Sequence, residues 1–371
     1  MTDNNFYPLR IVHSEAATSF GGQERRIFKE MVAMRNKGHH MEAICQPDAQ
    51  LANRLQQEGF KVHLVSMDGA INYLKGLWKI RRILVNGQFH VLNTHSRRDT
   101  MLAGVAARMA KTPLIVRTRH LARKPNSLIS YTGIPHKVTT SSEHVRKLLI
   151  EKNVNPNDVA TIYSPVDITP SKNKGVVRNQ LGLADDDVIV GCVAVLRRPK
   201  GHKELIDAMV PLFAHNNKLH LVVVGGGEKI FDEIKSYVQK LNLEKKVHLM
   251  GARDDVPDLL ADFDIFALAT REEASGTVFV EAGAAGLPIV ATNVGGVSET
   301  FVDGETGFLV DLDNIEALTL ALKKLIDNPE LRDQMGAAGL NFYNTSGRFT
   351  THGLVQKTQE CYYRWLKELS S

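Results

Sequence analysis

The sequence predicts an α/β protein of two Rossmann-like domains facing across a cleft. Three observations carry this: a length of 371 residues, apolar runs that alternate with helical patterns in both halves, and a proline-bearing seam between the two series. One hydrophobic core rarely serves so long a chain, so two domains are expected. With 43% apolar and 23% charged residues the composition excludes a disordered chain.

In chain order, RIVH at Arg10, HMEAICQ at His40, KVHLVSM at Lys61, VLNTHS at Val91, LIVRTRH at Leu114 and HKVTTSS at His136 read as strands of a first sheet, with helices between them. A second series follows: VIVGCVAVL at Val188, LHLVVVGGG at Leu219, VHLMG at Val247, DIFALAT at Asp264, LPIVATN at Leu287 and GFLV at Gly307. Short Val/Ile/Leu runs are what strands covered on both faces look like. The seam falls in TIYSPVDITPSKNK from Thr161, where Pro165 and Pro170 interrupt regular structure. The expected domains are residues 1–164 and 165–351. A last helix over about 352–371 carries Tyr362, Tyr363 and Trp365, which need a surface to cover, and the first domain is one candidate.

Charge divides the chain unevenly. Residues 1–150 hold 23 Lys+Arg against 10 Asp+Glu, net +13, which leaves 23 against 31, net −8, for the remainder. A basic half suggests an anionic partner such as phosphate, lipid headgroups or nucleic acid, against the plainer reading of an uneven solvated surface. Cys45, Cys192 and Cys361 stand far apart without a CxxC or a neighbouring His pair, which argues against a disulfide framework or a zinc site and for a reducing cytoplasm. The opening MTDNNFYPLR lacks a signal-peptide pattern, and VIVGCVAVL is half the length of a membrane span, so neither export nor a spanning segment is expected.

Two segments suggest a nucleotide. Gly21 and Gly22 open a helix directly after the first strand, where backbone amides and the helix dipole favour a phosphate. A tight turn would need the same glycines. In REEASGTVFVEAGAAGLPIVAT from Arg271, Glu273 falls in a loop and Glu281 in the following helix, spaced so that both can face one ligand; carboxylates pair well with vicinal hydroxyls.

The order E-x7-E, then AGAAGLPIVAT, then GG-x-x-E at Gly295, Gly296 and Glu299, then DG-x-TGFLV from Asp303, closely resembles the retaining GT-B glycosyltransferases of family 4. SFGG, RTRH at Arg117, TTSSEHVRKLL, IYSPVD, VLRRPKGH, VVVGGGE and MGARDDVPDLLADFDIFALAT extend the resemblance over nearly the whole chain. It implies a sugar transferase with a nucleotide-sugar donor, UDP-linked ahead of GDP-linked, and neither cofactor nor metal. Glu281 matches the glutamate on the nucleotide ribose, Glu273 the one by the donor sugar's hydroxyls, and Lys200 the lysine on the diphosphate. The arginine usual five residues before that lysine is Val195 here, with Arg197 the nearest substitute. Gly22 matches the N-terminal glycine by the diphosphate, and His120 the histidine close to the reacting centre. Gly251, Ala252 and Arg253 would lie by the base, and Gly276, Thr277 and Val278 would meet the diphosphate through the helix start. Glu273, His120 and Lys200 are thus the catalytic candidates.

Each match has a plainer rival: Lys200 as a turn residue, His120 as a strand cap with His95 competing for its place, Glu299 as the holder of a turn. Asp185, Asp186 and Asp187 resemble a metal-binding DxD but precede a strand, where a solvated turn is expected. His95, Arg97, Arg98, Arg117 and Arg119 follow first-domain strands and are candidates for a glycan or lipid-linked acceptor. In YLKGLWKIRRILV from Tyr73, apolar residues interleave with Lys75, Lys79, Arg81 and Arg82, as in a helix lying on an anionic membrane or a core-facing helix with a basic outer face. A cytoplasmic enzyme of cell-surface polysaccharide or lipopolysaccharide synthesis, at the inner face of the membrane, is the expectation; no nucleic acid is. The alternatives are a nucleotide-sugar epimerase of similar fold and a non-catalytic basic binding protein. A nicotinamide dehydrogenase is disfavoured because no GxGxxG follows the first strand.

Overall fold

The computed structural model describes residues 7–125, 127–166, 171 and 173–371. Pro170 of the expected seam and the opening residues 1–6 lie outside them. The chain divides into two compact units: one runs through Pro165 and takes back Arg348–Ser371, and the other is Val166–Gly347.

The first unit holds seven parallel strands, β1 (Arg10–Glu15), β2 (His40–Cys45), β3 (Lys61–Leu64), β4 (Val91–Thr94), β5 (Leu114–Arg119), β6 (Lys137–Thr140) and β7 (Val159–Thr161), in the order β3-β2-β1-β4-β5-β6-β7. The last has only three residues, too few for the apolar run that marks the others in sequence. The Gly22–Asn36 helix buries Ile27, Met31 and Met34, spaced at helical intervals, against this sheet. The C-terminal Thr351–Ser370 helix buries Tyr362 and Trp365 in the same core, and the Tyr362 hydroxyl accepts a hydrogen bond from Asn93 Nδ2 at 3.1 Å.

The second unit holds six, β8 (Val188–Val193), β9 (Leu219–Val224), β10 (Val247–Gly251), β11 (Ile265–Leu268), β12 (Ile289–Thr292) and β13 (Gly307–Val310), in the order β10-β9-β8-β11-β12-β13. All six residues of β9 are buried, as expected of a strand covered on both faces. In each unit the first strand lies beside the fourth, so chain direction across the sheet reverses between β1 and β4 and between β8 and β11. Open parallel sheets bind ligands at the carboxyl ends of the strands at such a switch.

Candidate functional site

In the second unit the carboxyl ends of β8 and β11 are zipped together. The Pro199 carbonyl accepts bonds from the Arg271 amide at 2.7 Å and the Thr270 hydroxyl at 3.1 Å. Gly201 makes this fit possible: its φ is +66°, and a Cβ there would stand 1.7 Å from the Ala269 carbonyl oxygen. The junction sets Lys200, in the single turn Arg198–Lys200, against Glu273, with Nζ 2.6 Å from Oε2. Both side chains keep partial exposure, 23% and 14%, so the pair is reachable from solvent. The Glu273 backbone is held from behind, because its carbonyl accepts the Gly296 amide at 3.1 Å and Gly295, with φ +57°, packs against it where a Cβ would clash at 1.8 Å.

Three residues on, Gly276 caps the Thr277–Ala284 helix in the left-handed region. Helix geometry leaves the first amides, those of Thr277 and Val278, without intrahelical partners and aligned with the positive end of the dipole. Glu281 lies one turn beyond Thr277 on the same half-buried strip, while Phe279, Val280 and Ala282 face the core. The β9 exit is Gly225, Gly226 and Gly227, pressed onto the β8 exit so closely that a Cβ at Gly225 would lie 1.8 Å from the Ala194 carbonyl. At the end of β10, Gly251 has φ +70°, and Arg253 is paired with Asp255 of its own loop at 2.5 Å and bonds Gln180 of the Val176–Leu181 helix at 3.0 Å. Lys200, Glu273, Gly276, Thr277, Val278 and Glu281 therefore follow the carboxyl ends of the two central strands, with Gly251, Ala252 and Arg253 at the end of β10, two strands from β8. Arg197 is exposed and lines a neighbouring cavity of about 450 Å³ with Arg198, Lys203, Tyr237 and Arg271, which Lys200 does not line. Glu299 closes the short turn Val297–Glu299. Asp186 pairs with Lys218, and Asp187 accepts the Ala184 amide at 2.8 Å, which makes the Asp185–Asp187 run a turn leading into β8.

The first unit fills its own switch point differently. His95 and His120 do not compete for one place but bond to each other, Nδ1 to Nε2 at 3.1 Å, and His13 of β1 joins them at 2.9 Å from its Nδ1 to His95 Nε2. Burial, with the neighbouring positive charge of Arg26, pushes the His13 ring down to about 3; burial also holds His95 and His120 well below the ordinary histidine range, Arg26 and Arg117 adding to it. All three are neutral near pH 7. His13 carries no motif, and only the strand order β1-β4-β5 brings it beside the histidines that follow β4 and β5. Gly22 opens its helix with no heavy atom within 4 Å of where a Cβ would stand, and Glu24 caps the Gly21 amide at 2.7 Å.

The acceptor candidates separate. Arg97 and Arg98 are exposed, Arg98 pairing with Asp68 at 2.5 Å. Arg117 and Arg119, expected to meet an acceptor, are only 5% exposed each, and their guanidinium groups bond internally. Arg117 donates to the Thr100 hydroxyl and Arg119 to the Tyr131 hydroxyl and the Arg123 carbonyl. The reason is positional: both belong to β5 itself, a central strand buried throughout, and not to the loop that follows it.

Residues 20–169 match the family described as Glycosyltransferase Family 4, and residues 173–342 match Glycosyl transferases group 1. An Escherichia coli UDP-Gal:alpha-D-GlcNAc-diphosphoundecaprenol alpha-1,3-galactosyltransferase is 25% identical over 346 residues, covering 87% of this chain and 89% of its own. A GDP-mannose-dependent mannosyltransferase of Corynebacterium glutamicum, named for a monoacylated phosphatidylinositol monomannoside, is 33% identical over 179 residues, 45% of each chain. Among solved structures, Anabaena HepE in complex with UDP superposes with a TM-score of 0.85 at 21% identity, over 96% of this chain and 100% of that one. A glycosyltransferase from Rickettsia africae gives 0.87 at 21%, over 98% and 100%. With two Rossmann-like units, the GT-B fold of these structures and both family matches, the chain belongs to the group 1, family 4 glycosyltransferases and is an enzyme of that class.

Proposed function

We propose that the second unit holds a nucleotide sugar, UDP-linked ahead of GDP-linked, and that the first serves a glycan or lipid-linked acceptor, with domain limits near residues 164 and 351. The observation that carries this is the Lys200–Glu273 pair at the β8/β11 switch beside the Thr277–Ala284 helix start. A diphosphate carries more negative charge than one carboxylate, so it would draw Lys200 away from Glu273 and free Glu273 to accept from sugar hydroxyls. The Thr277 and Val278 amides, reached past Gly276, would share the diphosphate, as would Gly22 from the first unit. Glu281 would accept from the ribose, and the Gly251–Arg253 backbone would border the base. Arg197 is placed for a lesser role, since it faces the neighbouring cavity.

In the reaction the bond from the anomeric carbon to the diphosphate oxygen breaks and its electron pair leaves with the diphosphate. The acceptor oxygen bonds to the same face of the carbon, retaining configuration, and its proton passes to the departing oxygen. Charge grows on the leaving group, so preorganised positive groups supply most of the rate. No glycosidase-like nucleophile is assigned, because Glu273 is given to the sugar hydroxyls and Glu281 to the nucleotide end. His120 would meet the sugar from the first unit. The named substrates of the E. coli relative, UDP-Gal and a diphosphoundecaprenol-linked GlcNAc, support a UDP donor and a lipid-linked acceptor.

A second observation favours contact with an anionic membrane. The Ala70–Gly87 helix buries Gly76, Ile80 and Leu84 but leaves Ile71, Leu74 and Trp78 exposed at 72%, 62% and 59%, so the apolar stripe read from sequence is split between core and surface. Lys75, Lys79 and Arg82 flank the exposed part, the arrangement of an interfacial helix. Among the described residues no helix is long and apolar enough to cross a membrane. Thermal stabilisation by UDP-sugars and GDP-sugars, followed by transfer assays with a lipid-diphosphate acceptor, tests the donor reading. Stabilisation by one class supports it, conversion of the donor without any acceptor would favour the epimerase, and indifference to every nucleotide sugar would reject it.

A further inference from the structure

His13 lies within β1, His95 just after β4 and His120 just after β5, and the strand order lays them side by side with ring centroids 5.1 and 5.4 Å apart. The chain His13 Nδ1 to His95 Nε2, at 2.9 Å, and His95 Nδ1 to His120 Nε2, at 3.1 Å, runs outward. His13 and His95 are 2% exposed, whereas His120 is half-buried.

Each link needs one proton between two nitrogens, and a neutral imidazole carries one N–H and one lone pair. Only two arrangements satisfy both links. In one, His13 donates from Nδ1 to His95, His95 donates from Nδ1 to His120, and His120 keeps its own proton on Nδ1. In the other every donor is reversed, and His13 must carry its proton on Nε2. That atom decides between them. His13 Nε2 is buried without a hydrogen-bond partner among the described residues. The reversed arrangement would strand a buried N–H there, whereas the first leaves only a lone pair. Orphaned buried N–H groups are the rarer and costlier outcome. The positive charge of Arg26 keeps His13 from taking a second proton, so the ring stays neutral and one N–H must be placed.

We propose that His95, backed by His13, is a positioning residue that fixes His120 in the Nδ1–H tautomer, so that His120 meets the substrate as a hydrogen-bond donor to an oxygen lone pair and not as a proton acceptor. This rests on the reading that His120 faces the sugar-transfer site. It deepens that reading: the base in the reaction is then the leaving diphosphate alone, and a sugar hydroxyl or ring oxygen is the group His120 recognises.

The test is nitrogen-15 NMR of histidine-labelled protein at pH 7 without substrate, combined with kinetics of two variants. In the unaltered protein His120 should show a protonated Nδ1 and an unprotonated Nε2, the tautomer that histidine in water disfavours. His95→Phe keeps a ring of similar size but removes the donor, so His120 should revert to Nε2–H and kcat should fall about fivefold to tenfold. His95→Asn, whose amide nitrogen takes the place of Nδ1, should restore both the spectrum and most of the rate. An Nε2–H or doubly protonated His120 in the unaltered protein would overturn the proposal even if neither variant folds. A tautomer that survives His95→Phe would also overturn it. A tautomer that shifts while kcat stays within twofold would end the positioning role and leave the transferase reading standing. Failure of the unaltered protein to transfer from any nucleotide sugar would instead remove the functional reading, with the substrate half of this proposal, while the spectrum still decides the tautomer.

Discussion

In the first unit His13 within β1 and His95 and His120 just after β4 and β5 are three neutral rings bonded to one another; in the second the segments after β8 and β11 carry Lys200 and Glu273, an ion pair framed by glycines. Both units use the same strand order, with the reversal at the same place. The fold thus supplies a position, and the residues after each strand supply the chemistry. Glycines that let backbones touch, a helix start and one charged pair suit a nucleoside diphosphate. Uncharged rings that avoid protonation suit a neutral contact with sugar or acceptor. The formal charges run opposite to this local picture, +13 over residues 1–150 and −8 over the rest, which separates surface charge from site chemistry.

The sharpest way to break the comparison is to remove the cation. Lys200→Ala should lower kcat by about 10²- to 10³-fold, the scale of losing one preorganised charge-stabilising group, in steady-state transfer assays; a loss under threefold would take the pair out of the site. Glycine tightness can be sharpened next. Gly201→Ala must hold φ +66° against a carbonyl and should cost roughly 2–4 kcal/mol in urea titration, whereas Gly22→Ala, with open space around it, should stay within about 0.5 kcal/mol while impairing nucleotide binding.

Titration within the first unit acts with both signs. Glu15 of β1 is pushed up to about 8 by burial and by Asp99, so between about 4.5 and 8 the folded state holds a proton that the unfolded state has released. Stability of the first unit should therefore fall as pH rises through that window, and Glu15→Gln should flatten the fall by at least about 1 kcal/mol in pH-dependent melting. His13, down at about 3, works the other way: the unfolded ring takes up a proton below about 6.5, and stability is lost as pH drops from there toward 3. Equal acid sensitivity in a His13→Phe variant would contradict this. The smallest effect belongs to the surface helix, where Leu74→Ser with Trp78→Ser should weaken binding to phosphatidylglycerol vesicles about tenfold in flotation assays without altering transfer to a water-soluble acceptor.

Strand positions were legible because buried parallel strands are written as continuous Val/Ile/Leu runs, as in LHLVVV and VIVGCV. The Glu273 and Glu281 spacing was legible for a similar reason: loop and helix are adjacent in sequence, so local geometry brings them together. Lys200 meets Glu273 across 73 residues, and only the β8/β11 pairing makes them neighbours. His13 was invisible for the same cause, since nothing near it in sequence marks it as the partner of His95. Arg117 and Arg119 misled because a charged pair at a strand end reads as a ligand contact, whereas Thr100 from before the strand and Tyr131 and the Arg123 carbonyl from after it absorb both guanidinium groups. For Trp78 and Leu74 the helical spacing left a membrane-facing and a core-facing helix both open, and the core leaves the two residues outside.

Calorimetric titration of UDP and GDP into the unaltered protein, Glu281→Ala and His120→Ala tests most directly whether the second unit grips the nucleotide. The account predicts that UDP binds the unaltered protein more tightly than GDP, that Glu281→Ala weakens it about fivefold or more, and that His120→Ala leaves it unchanged. Undiminished affinity in Glu281→Ala together with a loss in His120→Ala would place the nucleotide on the first unit and contradict it.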